Sequence, residues 1–161
     1  MEILKYALQF ELDGEKFYRE SALQVNDKNI ADILTLLARE EQKHYRIIKE
    51  LKKGLEYSPS SIFISDIKNI FRRMIDTNQT FIKNNITVME IFEKALQIED
   101  ESIKYYHKKA DEIDDVHAKE VLTFLKKQEQ AHYSLISSLI EYYERPHLWM
   151  EQAEFTHLEE Y

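Results

Sequence analysis

Apolar side chains recur along most of this chain in alternating steps of four and three residues, the pattern of helices that turn one face toward a partner. One seam runs Ile30, Leu34, Leu37, Glu41, His44, Ile48, Leu51, and a second runs Leu122, Leu125, Glu129, His132, Ile136, Leu139, Tyr143. The pattern predicts a first helix over 2–25, with Leu4, Leu8, Glu11, Tyr18, Ala22 and Val25 near one face. Gly14 interrupts it at a cost of about 1 kcal/mol relative to Ala, which points to close packing or ligand clearance beside Glu11. Asn26 and Asp27 are N-cap residues for a second helix over 28–53, and Gly54 after Lys52 and Lys53 is a natural stop, so the first two helices form an antiparallel hairpin.

The connection over 55–86 differs in kind. Ser58-Pro59-Ser60-Ser61 breaks the pattern, and Ile62 to Ile75 then reads as a short helix of its own. Ile62, Phe63, Ile64, Ile67, Ile70 and Phe71 need burial, which argues for a packed crossover from one end of a bundle to the other rather than a loose linker. Thr87-Val88-Met89-Glu90 has the form of a capping box and opens a third long helix to Ile113; Asp114-Asp115 caps a fourth over 116–143, and Pro146 ends it. The tail, His147 to Tyr161, predicts one more short helix through Leu148, Trp149, Phe155 and Leu158, with Trp149 as a packing anchor. The expected architecture is all-α: a four-helix bundle of two hairpins with one long crossover over 1–145, followed by a short C-terminal helix over 146–161.

Two Gly, two Pro and 32% charged residues among 161 suit helix, and the length suits one domain with a real core. A net charge of −8, a pI near 5.3 and no dense basic run argue against a nucleic-acid surface. With no cysteine, the chain has no disulfide, thiolate zinc site, iron–sulfur cluster or rubredoxin-like centre of its own. No apolar run approaches the ~18 residues of a membrane span. Met1 to Phe10 carries Glu2 and Lys5 and enters amphipathic helix instead of a signal peptide, so a cytoplasmic protein is expected.

The chemistry lies where the seams turn polar. Glu41-Gln42-Lys43-His44 and Glu129-Gln130-Ala131-His132 each put a carboxylate and an imidazole on one helix face, at positions where Leu would be expected. A buried carboxylate is costly unless it is paired, protonated or bound to a metal. Displacing the sequence by 88 residues superimposes its halves: Ala7-Leu8-Gln9-Phe10-Glu11 falls on Ala95-Leu96-Gln97-Ile98-Glu99, Gly14 on Ser102, Tyr18 on Tyr106 and Ala22 on Ala110. Glu41-Gln42-x-His44-Tyr45 falls on Glu129-Gln130-x-His132-Tyr133, and 30 residues separate the two glutamates in each half. A lone Glu-x-x-His in a Glu-rich helix means little. Two copies on core seams, each with an upstream glutamate at equal spacing, read as a metal centre of Glu11, Glu41, His44, Glu99, Glu129 and His132.

Four carboxylates balance two divalent cations, with one histidine for each. Mixed imidazole and carboxylate donors suit iron, manganese or zinc better than magnesium or calcium. Two glutamates would bridge; the spacing does not say which, and symmetry favours Glu41 and Glu129. Such a site keeps exchangeable positions, the requirement for activating dioxygen or peroxide. The plainer readings apply to the remaining residues: Glu15 and Glu40 as solvated or outlying groups, His107, His117, His147 and His157 as surface residues, and Tyr45 and Tyr133 as packing at the flanks.

Taken together, the six positions resemble the ferritin-like di-iron carboxylate proteins, and most closely the rubrerythrins, over the four bundle helices. The resemblance implies a left-handed, ferritin-like bundle with two iron ions between its helix pairs (manganese or zinc as isolated). It also implies reduction of hydrogen peroxide to water with electrons from a redox partner, and tyrosines, here Tyr18 and Tyr106, that hydrogen-bond to ligand glutamates. This chain departs from that pattern in two places. Rubrerythrins have a further glutamate where Ser102 stands, with Glu15 the nearest substitute here, and they carry a rubredoxin-like domain that a chain without cysteine lacks. Electrons would therefore come from a separate donor protein such as a rubredoxin. The alternatives are a ferroxidase or iron-handling protein, and a non-enzymatic metal-binding bundle. The paired hairpins and crossover also suggest a homodimer, with helix exchange through 55–86.

Overall fold

Local chemistry sets the helix ends. Asp27, in extended conformation, accepts hydrogen bonds from the amides of Asn29 (2.8 Å) and Ile30 (3.2 Å), and Asp115 accepts from Ala118 N at 2.8 Å. At the far end of the second helix Gly54 takes φ 74°, open to glycine, while its N–H donates to Leu51 O at 2.9 Å. The computed structural model describes residues 2–54, 63–76 and 86–144. Five helices occupy them: α1 (Glu2–Gln24), α2 (Lys28–Lys52), α3 (Phe63–Asp76), α4 (Ile86–Glu112) and α5 (Val116–Glu144). No strand occurs among the described residues, and none of their helices is long and apolar enough to cross a membrane.

The helices lie within one or two residues of their sequence-based bounds. Thr87 falls inside the first turn of α4, not ahead of it. Ile62, the side chains of Phe63, Ile64 and Phe71, the Ser58–Ser61 break and the 146–161 tail with Trp149 lie outside the described residues.

α1 packs along α2 and α4 along α5. The hairpins then meet through α1 with α4 and α2 with α5, giving an all-α, ferritin-like bundle. Both cross-hairpin pairs are antiparallel: Tyr18 reaches Glu99 while Tyr106 reaches Glu11, and His44 faces Glu129 while His132 faces Glu41. Since α2 also opposes α1, it runs parallel to α4, and the chain between them must travel the length of the bundle, about 37 Å for a helix the size of α2. α3 makes part of that journey along α2. It buries Ile67, Ile70 and Met74 and places Arg73 3.2 Å from Asp32, near the start of α2.

Every residue of the α2 seam is buried, and so is every residue of the α5 seam up to Leu139; the last step lands on buried Tyr142, leaving Tyr143 half-buried. On α1 the buried line is Leu4, Ala7, Glu11, Gly14, Tyr18 and Ser21, continued just past the helix by Val25, whereas Leu8 and Ala22 are half-buried. Small residues at 7, 14 and 21 belong to the strict heptad, which a search for bulky apolar positions passes over.

The interior forms two apolar clusters. The larger holds Tyr18, Ile33, Leu37, Phe92, Ile136 and Leu139 together with the buried face of α3; the smaller holds Leu4, Ile47, Leu51, Tyr106, Leu122 and Leu125. The polar seam positions lie between them.

Candidate metal centre

Each long helix carries its polar residues at the middle of its buried seam: Glu11 on α1, Glu41 and His44 on α2, Glu99 on α4, Glu129 and His132 on α5. None is more than 4% exposed. His44 Nδ1 lies 3.0 Å from Glu129 Oε1 and 3.3 Å from Glu11 Oε2. His132 Nδ1 lies 3.1 Å from Glu41 Oε1, 3.2 Å from Glu129 Oε2 and 3.6 Å from Glu99 Oε1. The two rings are nearly parallel, with centroids 5.4 Å apart.

Two sets of potential donors follow from this geometry. Glu11, Glu41, His44 and Glu129 each bring one donor atom within 4.8 Å of the others, and so do Glu41, Glu99, Glu129 and His132. The sets share Glu41 and Glu129. Glu11 Oε2, Glu41 Oε1, both Glu129 oxygens and both His44 nitrogens are enclosed without a hydrogen-bond partner. Native interiors rarely leave such atoms unsatisfied, and their convergence suits donors grouped about a cation. Charge points the same way: with both imidazoles protonated, the four carboxylates still leave an excess of two negative charges. Protons or metal ions must complete the cluster, and its residues fit a pair of divalent metals.

The tyrosines connect the halves crosswise. Tyr18 donates from its hydroxyl to Glu99 Oε1, and Tyr106 donates to Glu11 Oε1, so each holds the glutamate of the opposite hairpin. Adding 88 to the first residue of a contact and subtracting 88 from the second turns Tyr18 with Glu99 into Tyr106 with Glu11, and His44 with Glu129 into His132 with Glu41.

Burial and crowding move the proton affinities in opposing directions. Burial, reinforced by Glu129 and Glu11, pushes the Glu41 carboxyl well above the usual range. Burial and Glu129 raise Glu99 to about 8 against the opposing charge of His132. Burial would lower the two imidazoles, but Glu129 and Glu11 outweigh it at His44, and Glu99 and its carboxylate neighbours at His132, so both are raised. At Glu129 burial is overcome by His44 and His132, which hold its carboxyl far below the usual range. Burial and nearby carboxylates raise Tyr18 and Tyr106, which keeps their hydroxyls protonated as donors.

Two positions break the internal symmetry. A Cβ at Gly14 would sit 3.0 Å from Glu41 Oε2 and 3.3 Å from Glu41 Cδ, so the glycine makes room for that carboxylate; its counterpart Ser102 is buried. Glu40 is not a solvated surface group. It is buried, its Oε1 accepts from Lys43 Nζ, and it forms a further cluster with His44 and His132 within the same 4.8 Å limit. Its spacing of four from His44 was the available clue, since i and i+4 share a face; Gln128 takes its place in the second half.

The outlying carboxylate Glu15 pairs instead with Arg19 and joins no donor set among the described residues. His107 is exposed on its helix, His117 is half-buried, and His147 and His157 lie outside the described residues. Tyr45 is half-buried with Lys49 Nζ 5.8 Å above its ring, and Tyr133 is exposed. The sequence matches a family model described as Rubrerythrin over residues 2–140. No curated protein and no solved structure matches it.

Proposed function

This chain belongs to the rubrerythrin family, and from that premise we propose that it is a di-iron peroxide reductase whose electrons come from a separate donor protein. The observation that supports this reading is the pair of buried four-residue donor sets joined through Glu41 and Glu129. Glu11 and His44 would complete one metal position, Glu99 and His132 the other. Two ferrous ions held there would supply the two electrons with which hydrogen peroxide and two protons become two molecules of water. The protein's share is positioning and enclosure. Tyr18 and Tyr106 each fix one oxygen of Glu99 and Glu11, leaving the other oxygen of each carboxylate for a metal. The apolar clusters on either side keep bulk water from the charged layer.

Anaerobic loading with ferrous iron should give two ions per chain by elemental analysis. Addition of peroxide should produce the optical bands of the ferric centre, and a chemical reductant should sustain peroxide consumption over repeated cycles. Fewer than two ions, or a loaded centre that peroxide leaves ferrous, refutes the reading. Ser102, where rubrerythrins carry a further glutamate, favours ferroxidase activity as the second reading. In that case ferric iron accumulates as product and peroxide is not turned over.

A further inference from the structure

The net charge of the chain is −8, yet one face of α2 is basic. Arg39, Arg46 and Lys49 are exposed and Lys43 is half-exposed, at steps of four, three and three that gather them on one side of the helix. Of the nearby acids, Glu41 is buried, Glu50 pairs with Lys53, Glu40 pairs with Lys43, and Asp32 and Asp66 share a groove with Arg39, which leaves Arg46 and Lys49 as the cations farthest from an acid. Arg39 and Arg46 form no ion pair among the described residues.

This face is the outside of the same turns that carry Glu41 and His44. Lys43 binds Glu40, which stands beside both imidazoles, and Lys49 covers Tyr45, the residue after His44. A helix with its side chains is about 10–12 Å across, so a redox centre seated on this face needs to pass electrons across little more than one helix. An acidic carrier would be repelled by the rest of the surface, and the stripe would then orient it as well as attract it.

We propose that the basic face of α2, formed by Arg39, Lys43, Arg46 and Lys49, is the docking surface for an acidic one-electron carrier protein. The proposal rests on the peroxide-reductase reading for the purpose of docking. Each encounter oxidises one carrier and adds one electron to the centre, and two encounters supply the pair that one peroxide consumes.

The probe is a rubredoxin of net negative charge. Its reduced form is mixed with the oxidised, iron-loaded protein in a stopped-flow instrument at low salt. Arg46→Glu/Lys49→Glu should lower the second-order rate about tenfold or more and flatten its salt dependence. Lys16→Glu/Lys108→Glu, with the same change of charge on α1 and α4, should stay within about twofold of the parent, and dithionite should reduce all three equally. Equal rates in the two double variants overturn the proposal, as does tighter binding of duplex DNA than of rubredoxin. Titration of redox-inert zinc rubredoxin into zinc-loaded, isotope-labelled protein reads docking apart from chemistry. Shifts confined to residues 39–49 support the proposal; shifts elsewhere, or none, overturn it. If peroxide fails to reoxidise the dithionite-reduced centre, the functional reading falls, and the zinc titration alone decides the docking surface.

Discussion

Replacing Gly14 by alanine separates the helix from the site it borders. In a helix interior the exchange should stabilise by about 1 kcal/mol, because glycine loses more backbone freedom on folding. The new methyl group would stand 3.0 Å from Glu41 Oε2, 3.3 Å from Cδ and 3.4 Å from Cγ, closer than ordinary contact at the first two. The carboxylate must therefore yield by a few tenths of an ångström. Without metal it is the far end of a side chain and can yield, so most of the gain survives: a rise in Tm of about 2–4 °C for a chain of this size. With metal bound, Glu41 would be pinned between two ions, and a ligand bond tolerates only about 0.2 Å of error. Metal affinity should then fall about tenfold, or about 1.4 kcal/mol, erasing the gain. Calorimetric unfolding with and without zinc, together with a chelator-competition titration, measures both halves of this cycle. Ser102→Ala provides the comparison at the equivalent position of the other hairpin. If Gly14→Ala raises Tm equally in both forms and leaves affinity unchanged, Glu41 is not held by metal and the reasoning fails.

The metal-free protein should lose stability as pH rises from about 5 to 9. Glu41 and Glu99, the latter at about 8, bind protons more tightly folded than unfolded, and so do His44 and His132; stability present below the unfolded values is lost as pH climbs through the folded ones. Metal binding displaces those protons, so the loaded form should show the opposite slope between pH 5 and 7 in parallel denaturant titrations; parallel slopes would count against the site. Tyr18→Phe and Tyr106→Phe each leave a buried carboxylate oxygen without its donor and should each cost about 1–3 kcal/mol by urea unfolding, in similar measure because the contacts are equivalent. Asp27→Ala removes the cap from two α2 amides and should cost about 1 kcal/mol in either metal state, with metal affinity unchanged.

Much of this arrangement is legible from spacing because helical periodicity is local. Ile30 to Leu51 lie on the seam their spacing predicts, and the caps at Asp27 and Asp115 stand one residue before their helices. The 88-residue repeat brings six polar positions to notice together, and all six are buried in one cluster. What spacing cannot convey is which residues meet across the bundle. The attachment of Tyr18 to Glu99, rather than to Glu11 on its own helix, depends on how two hairpins dock. By sequence Glu40 reads as a solvated or outlying group because a charged residue beside a seam normally faces water, and here only the neighbouring α5 brings His132 to it. The basic face of α2 escapes notice for a related reason: Arg39, Lys43, Arg46 and Lys49 are scattered in sequence, and only the helix, which buries Glu41 on its other side, gathers them on one outward face.

The division of the interior into two oily clusters by one ionisable layer bears on alignment. Aliphatic heptads tolerate sliding: a shift of seven residues, about 10 Å, brings leucine against leucine again. Any such slip here would strand a glutamate among hydrocarbon, so the layer penalises each wrong register far more than the right one. A variant with leucine at all six places should resist denaturant better and yet sample several alignments, because the residues suited to hold metal are also the ones that tell the helices where to stop.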